Sequence, residues 1–324
     1  MITFGPVPSR RLGRSLGINN IPPKVCTYSC VYCQLGRTKK IEVESRNFYD
    51  PEEIQKSVAE KIDLADKAEE SIDYLTFVPD GEPSLDIHLG REIERLKSRG
   101  LKVAVITNSS LIWYDRVKED LKKADWISLK IDSVEEKIWR KINRPHRFLE
   151  LRKILDGIIE FSRQYKGQLV TETMLVRDLN DSEDHIRNLT DFIKQLSNDT
   201  SYLSVPIRPP AEKWVRQPTE EMLIRAYQIL SSQIKNVEVL IGYEGNAFAF
   251  TGNVQQDLLS ITAVHPMREE AVTEFLSKAK AGWSVVDQLI DEGVLVEREF
   301  QGHKFYARKL VSPRSMDMLG LRME

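Results

Sequence analysis

Apolar positions along the chain fall into two alternating rhythms. Short runs at residues 72–78, 101–106, 126–131, 168–176 and 202–207 are dense in Val, Ile, Leu and aromatic residues, as buried strands are. Between them lie longer segments with a helical period. The clearest opens at Asp50-Pro51, an N-cap followed by a proline at the first helical position, and places Ile54, Val58, Ile62 and Ala65 on one face. Further helices are predicted at residues 85–99, 115–123, 149–165, 181–196 and 219–234. A first strand is predicted at 15–19 and a further one at 237–241. About six strands alternating with helices predict a parallel α/β barrel or sheet, and polar clusters at the strand ends favour a partial (βα)6 barrel, in which function gathers at the C-terminal ends. The polar clusters sit at those ends: Asp80-Gly81-Glu82-Pro83, Thr107-Asn108, Lys130-Ile131-Asp132 and Arg208-Pro209-Pro210.

The rhythm changes near residue 250. Residues 254–264, 267–280 and 282–291 read as three short helices, followed by a hairpin of residues 294–300 and 303–308 turning at Gln301-Gly302. Three helices and a two-stranded wing predict a small α+β winged-helix domain over 251–324, behind a core of 1–250. Its expected recognition helix, 283–293, carries Asp287, Asp291 and Glu292 and no Lys or Arg, whereas the wing carries Arg298, His303, Lys304 and Arg308. A phosphate backbone favours the wing over the helix.

Composition narrows the setting. The 324 residues carry a net charge of −2, which selects no class of partner. No apolar run approaches the roughly 20 residues of a membrane span. The N-terminus lacks the pattern of a signal peptide, so a cytoplasmic protein is expected, where thiols stay reduced. Residues 5–24 hold four prolines and the basic run Arg10, Arg11, Arg14, read either as a solvated arm or as a clamp on a phosphate or carboxylate. Arg37, Lys39 and Lys40 extend the basic surface.

The three cysteines of the chain, Cys26, Cys30 and Cys33, fall within eight positions. Disulfide pairing leaves one over. A structural zinc site takes four ligands, and no fourth Cys or His follows in the next fifty residues. Three thiolates suit three irons of a [4Fe–4S] cluster, with the fourth iron open to a small chelating ligand.

This C-x3-C-x2-C pattern, with Tyr32 before its last cysteine, resembles the signature of the radical S-adenosylmethionine (SAM) superfamily. The runs 4–17 and 21–24 resemble a group of radical SAM proteins related to wyosine (tRNA-imidazoguanosine) synthases. The resemblance implies that SAM chelates the open iron and is reductively cleaved to a 5′-deoxyadenosyl radical, which takes hydrogen from a substrate. It also implies reduced ferredoxin or flavodoxin as electron donor. Cys26, Cys30 and Cys33 become the metal ligands. Tyr32 is expected near the adenine of SAM. Gly81-Glu82-Pro83 resembles the motif that meets the SAM ammonium, with Asp80 standing where a first glycine is common, and Thr107-Asn108 is expected at the ribose or carboxylate.

Alternation in the strand 126–131 puts Ser128, Lys130 and Asp132 on one face, expected to point inward. Lys130 suits the SAM carboxylate, a substrate anion or, with a lowered pKa, a Schiff base. Glu172 and Arg208 are expected to line the lumen as further catalytic candidates, against a structural ion-pair role. A motif 143–146 is expected beside the mouth. The cysteines are too few for a second cluster of the wyosine-synthase kind. A single-cluster enzyme acting on a macromolecule follows, with tRNA favoured. The alternatives are a peptide- or protein-modifying maturase that docks its partner on the winged helix, and an Fe–S-sensing DNA-binding regulator.

Overall fold

The computed structural model describes residues 2–38, 40–242 and 245–309. Two N-terminal strands, β1 (Thr3–Ser9) and β2 (Gly13–Ile18), are followed by a long loop holding the two-residue strands β3 (Val25–Cys26) and β4 (Lys40–Ile41). Then come α1 (Pro51–Lys67), β5 (Tyr74–Phe77), a 3₁₀ turn (Pro83–Leu85), α2 (Leu89–Lys97), β6 (Lys102–Thr107), α3 (Asp115–Leu121) and β7 (Trp126–Lys130). The helices α4 (Glu136–Ile142) and α5 (Leu151–Gln164) lead to β8 (Gln168–Met174), α6 (Glu183–Ile193), β9 (Thr200–Ser204), α7 (Glu220–Ser231) and β10 (Val237–Leu240).

One sheet takes eight strands in the order β1-β2-β5-β6-β7-β8-β9-β10. The β1–β2 pair is antiparallel and every later pair is parallel. Asp50, the expected cap, accepts from Glu52 N, and Ser182 and Thr219 cap α6 and α7 in the same way, accepting from His185 N and Met222 N.

The strands show two faces. Ile127, Leu129 and Leu169 join the large cluster formed with Ile54, Ile93, Val117 and Ile158 of the helices. On the opposite, inner face, Trp126, Val170, Tyr202 and Leu240 pack with Leu12 and Ala104 into a small apolar plug. Ser128, Lys130, Glu172 and Ser204 continue that face towards the strands' C-terminal ends, because side chains two apart share a face.

The N-terminal run expected as an arm forms β1, an edge strand. Its prolines, Pro6 and Pro8, mask the strand pattern, yet an edge tolerates them because one side of the ladder needs no donors. Phe4 lies over Gly17, where an added Cβ would come within 1.9 Å of the ring. The predicted strand 202–207 stops at Ser204, before Pro206.

Beyond residue 250 stand α8 (Val254–Val264), β11 (Met267–Arg268), α9 (Glu269–Lys278), α10 (Ser284–Asp291), β12 (Leu295–Phe300) and β13 (His303–Arg308). The predicted third and last helical boundaries hold to within two residues. The helix expected from 267 starts at Glu269 because Met267 and Arg268 pair with β13, giving a three-stranded sheet, β11-β13-β12. Gln301 and Gly302 turn the hairpin with φ of 52° and 75°, as a two-residue hairpin loop requires. This segment shares its core with β1: Phe4 and Val7 pack with Leu258, Met267, Phe275 and Leu289. Lys61 of α1 also pairs with Asp257 at 2.8 Å. Residues 310–324 of the expected C-terminal domain, and Lys39 of the basic run, lie outside the described residues. Among the described residues no helix is long and apolar enough to cross a membrane.

Candidate functional site

The loop between β2 and α1 is hung across the C-terminal ends of the strands. Lys24 N donates to Asp80 O at 2.8 Å and Glu82 N to Val25 O at 3.2 Å, tying it to the end of β5. Gly81 is needed there, since a Cβ would sit 1.7 Å from the Val25 carbonyl oxygen. After β7, Ser29 N and Val31 N donate to the carbonyls of Asn143 and Ile142, and His146 N donates to Thr27 O. After β9, Glu212 N donates to Val31 O at 3.0 Å.

The loop holds Cys26, Cys30 and Cys33 as free, half-buried thiols. Two carry amide donors. Asn108 Nδ2 lies 3.5 Å from Cys26 Sγ, and Asn143 Nδ2 lies 3.4 Å from Cys30 Sγ. Burial, with neighbouring acidic groups, pushes both thiols up, Cys30 to about 12.

Directly inside, Tyr32 donates to Asp132, which also accepts from Asn143 Nδ2 at 2.7 Å and Met174 N at 2.9 Å. Lys130 Nζ stands 5.0 Å from the Tyr32 ring centre and donates to Glu172 Oε1 at 3.1 Å. Arg11 pairs with the other oxygen of Glu172, and Ser204 Oγ donates to Oε1 at 3.0 Å. Burial alone would raise the Glu172 carboxyl, but Arg11 and Lys130 outweigh it and hold it well below the usual range. Burial opposes the charge on Lys130 too, and Glu172 and Asp132 reverse this, raising its pKa. Arg11 thus follows the clamp reading of the basic run, its target being the protein's own Glu172. Arg14 pairs with Glu70 and Arg10 donates to Gly242 O. Ser128 shares the inner face, and its buried Oγ has no hydrogen-bond partner among the described residues.

Glu82 is fully buried and braces two strand ends. Its Oε1 accepts from Ser84 N, from Ser84 Oγ at 2.6 Å and from Thr107 Oγ1 at 2.6 Å, and its Oε2 accepts from Asn108 N at 2.7 Å. Burial still raises its pKa. Pro83 opens the 3₁₀ turn that Glu82 caps. Arg208 lies past the end of β9 at the rim. Its guanidinium donates to Gln34 Oε1 at 2.6 Å and reaches the His265 ring at 2.9 Å, joining the cysteine loop to α8. It is therefore at the rim and not among the strand residues of the inner face. Nearby, Glu212 takes Arg37 in a bidentate pair at 2.7 and 3.0 Å and Arg144 at 2.5 Å.

The sequence pattern of the radical SAM superfamily matches residues 20–190, which span the cysteine loop and the strands that hold it. The chain belongs to the radical SAM superfamily. A UPF0026 protein of Methanocaldococcus jannaschii is 49% identical over 96% of this chain and 97% of its own length. A UPF0026 protein of Helicobacter pylori J99 is 33% identical over 68% and 71%. Solved structures agree on the fold. A radical SAM methyltransferase from Sphaerobacter thermophilus superposes with a TM-score of 0.54 at 14% identity, over 70% of this chain and 66% of that one. TYW1 with a bound lysine–pyruvate adduct does so with a TM-score of 0.53 at 16% identity, over 68% and 73%.

This radical SAM enzyme belongs to a family that uses a [4Fe–4S] cluster and SAM. Its cysteine loop fits such a cluster. Among the described residues no three Cys, His, Asp or Glu side chains converge on one metal ion. Soft thiolate donors with amide N–H groups on the sulfurs suit iron. Motif, alternation and charge place Asn143, Asp132 and Arg11 near the site, but not their partners in it, the Cys30 thiol, Tyr32 and Glu172. Asn143 lies 113 residues from the thiol it touches, so no local spacing signals that contact.

Proposed function

We propose that Cys26, Cys30 and Cys33 each ligate one iron of a single [4Fe–4S] cluster and leave the fourth iron to SAM. The carrying observation is three free thiols on one loop suspended across the strand ends of a radical SAM enzyme. When bound and reduced by ferredoxin or flavodoxin, the cluster supplies the electron that cleaves SAM to methionine and a 5′-deoxyadenosyl radical.

The chain's own residues then divide the work. Tyr32, Gly81, Pro83, Thr107, Asn108 and Ser128 form the surroundings of SAM, and the unpartnered Ser128 hydroxyl offers it a hydrogen bond. The Glu82 carboxylate, already holding four donors, fixes the position of the 80–83 turn. Lys130 serves as a cation for an anionic group of SAM or substrate. A Schiff-base nucleophile has to be neutral, and Glu172 favours the charged ammonium instead. Glu172 positions Lys130, and Arg208 positions the cysteine loop through Gln34.

The substrate in this reading is a macromolecule, with tRNA favoured, and the reaction is hydrogen abstraction in the cytoplasm. Residues 1–250 form the catalytic core and the segment from 251 a winged-helix-like substrate module. Support comes from the sequence resemblance to wyosine synthases and from the fold shared with TYW1. The single set of cysteines separates this chemistry from a two-cluster reaction.

The test is anaerobic incubation of the reconstituted enzyme with SAM, dithionite and either bulk tRNA or total cell protein. Increased 5′-deoxyadenosine with tRNA, and a new mass among the digested nucleosides, are expected. Stimulation by protein alone would establish the maturase reading instead. DNA binding that follows cluster state, with no SAM cleavage, would establish the regulator.

A further inference from the structure

A cleft separates the β12–β13 sheet from the cysteine loop and the 209–216 loop. Its inner part is a 210 Å³ pocket floored by Lys24, Gln34 and Arg37 of the cysteine loop and walled by Arg298, Arg308 and Lys309. Five cations line this pocket, and no carboxylate is among the described residues that line it. Its outer part, of 780 Å³, continues past Arg298 between Lys213 and Arg216 on one side and Phe300 and Gln301 on the other, with Glu299 the one acid among the described lining residues. The two walls meet at the outer end, where Gln217 Nε2 lies 3.4 Å from Gln301 Oε1.

The charge of the cleft is built against the rest of the molecule. The whole chain carries a net charge of −2, so this concentration of cations is local. Arg37 shares Glu212 with Arg144, leaving that trio one positive charge in excess. Asp80 draws on Arg308, whose own burial lowers its pKa. Among the described residues Arg298, Lys309 and Lys213 make no ion pair. Holding unpaired cations side by side costs electrostatic energy unless an anion fills the space. A small anion would satisfy the inner pocket alone. A continuous cleft with a second, larger chamber fits an anion that repeats along a chain. The outer chamber also offers an aromatic face, the Phe300 ring. Cations that track a backbone beside aromatic faces for bases are the pairing that single strands require.

We propose that this cleft binds a single-stranded polynucleotide, with phosphodiester groups along Lys309, Arg298 and Lys213 and a base against Phe300. The inner pocket borders Cys33 through Gln34, so a strand entering it is led towards the cysteine loop. The inference deepens the proposed function by naming what holds its substrate.

The test uses the full-length, anaerobically reconstituted enzyme and fluorescence anisotropy with a labelled 12-nucleotide RNA, and with DNA of the same sequence, across a salt series. Binding is expected to weaken at least ten-fold in the double variant Lys213→Ala/Arg298→Ala, with a log K against log salt slope shallower by about 1.4, two phosphate contacts at about 0.7 each. Phe300→Ala is expected to weaken binding about ten-fold with the slope unchanged, since stacking releases no counterions. Lys56→Glu, an exposed position on α1 with the same change in charge as the double variant, is expected to bind as the parent does. Tighter RNA than DNA binding assigns RNA as the strand, and equal binding leaves the phosphodiester backbone as the recognised group. Either supports the cleft. Parent-like binding by the double variant, equal weakening by Lys56→Glu, or capture of polyglutamate in place of both oligonucleotides overturns it. Cluster absorbance reports that each variant is folded. An enzyme that cleaves SAM but binds no strand contradicts the cleft alone. One that binds the strand but takes up no cluster contradicts the proposed function alone.

Discussion

The inner face and the basic cleft lie on either side of the cysteine loop and treat charge in opposite ways. On the inner face each charge has its answer within the chain: Glu172 holds Arg11 and Lys130, and Asp132 holds Tyr32 and Asn143. The cleft gathers five cations around its inner pocket with no acid among the described lining residues. A closed network fixes positions and resists change. In the cleft, Arg298, Lys309 and Lys213 make no ion pair among the described residues and leave charge for something that arrives. The distinction matches a positioning role for the inner face and the recognition role proposed for the cleft, although both are built from Lys, Arg and Glu.

The comparison is broken most severely at Glu172. Glu172→Gln leaves two half-buried cations facing a neutral amide, and a loss of about 3 kcal/mol is expected by denaturant unfolding. A variant as stable as the parent would show that the network is not closed around this carboxylate. Next in size is Gly81→Ala, whose Cβ must push away the Val25 carbonyl. A cost of about 2 kcal/mol is expected, together with reduced iron content after reconstitution, because the displaced backbone carries Cys26.

How much of this was legible in the sequence differs between fold and site. The strands β5 to β9 announce themselves as buried apolar runs, and Asp50 and Thr219 mark helix starts by their own cap chemistry. The cysteine motif and the inward face of Ser128 and Lys130 follow from spacing and alternation. β1 was hidden because Pro6 and Pro8 look like breakers until an edge position is known. The partners of Glu82, Glu172 and Arg208 stayed hidden for another reason. Ion pairs and hydrogen bonds join residues remote in sequence, such as Arg11 and Glu172, 161 positions apart. Composition shows which charges exist and only the fold shows which are answered. The cleft is the extreme case, since its cations come from four separate stretches of a chain that is slightly acidic overall.

Smaller effects sharpen the picture. Asn143→Ala removes the amide donor to Cys30 Sγ while leaving the thiol in place. A more negative cluster midpoint potential is expected by EPR-monitored titration, because N–H donors to sulfur stabilise the reduced, more negative state. An unshifted potential would make Asn143 a loop brace only. The smallest effect belongs to Glu212 at the rim. Hydrogen bonds from Arg37 and then Arg144 hold its pKa down to about 2. A pKa lowered on folding adds stability above the unfolded value near 4.3, and that stability is lost as pH falls towards 2. The stability gap between the parent and Glu212→Gln should therefore be under about 1 kcal/mol at neutral pH and close across that acid window. A gap that does not change with pH would show that the two arginines do not act through this carboxylate's charge.

The most direct test of the account is made on the cysteine loop itself. The parent and Cys30→Ala are reconstituted anaerobically with iron and sulfide, reduced with dithionite and given SAM, and 5′-deoxyadenosine is measured with the iron content of each. The account predicts about four irons per parent chain and 5′-deoxyadenosine from the parent only. An intact cluster spectrum in Cys30→Ala, or equal 5′-deoxyadenosine from both proteins, would contradict it.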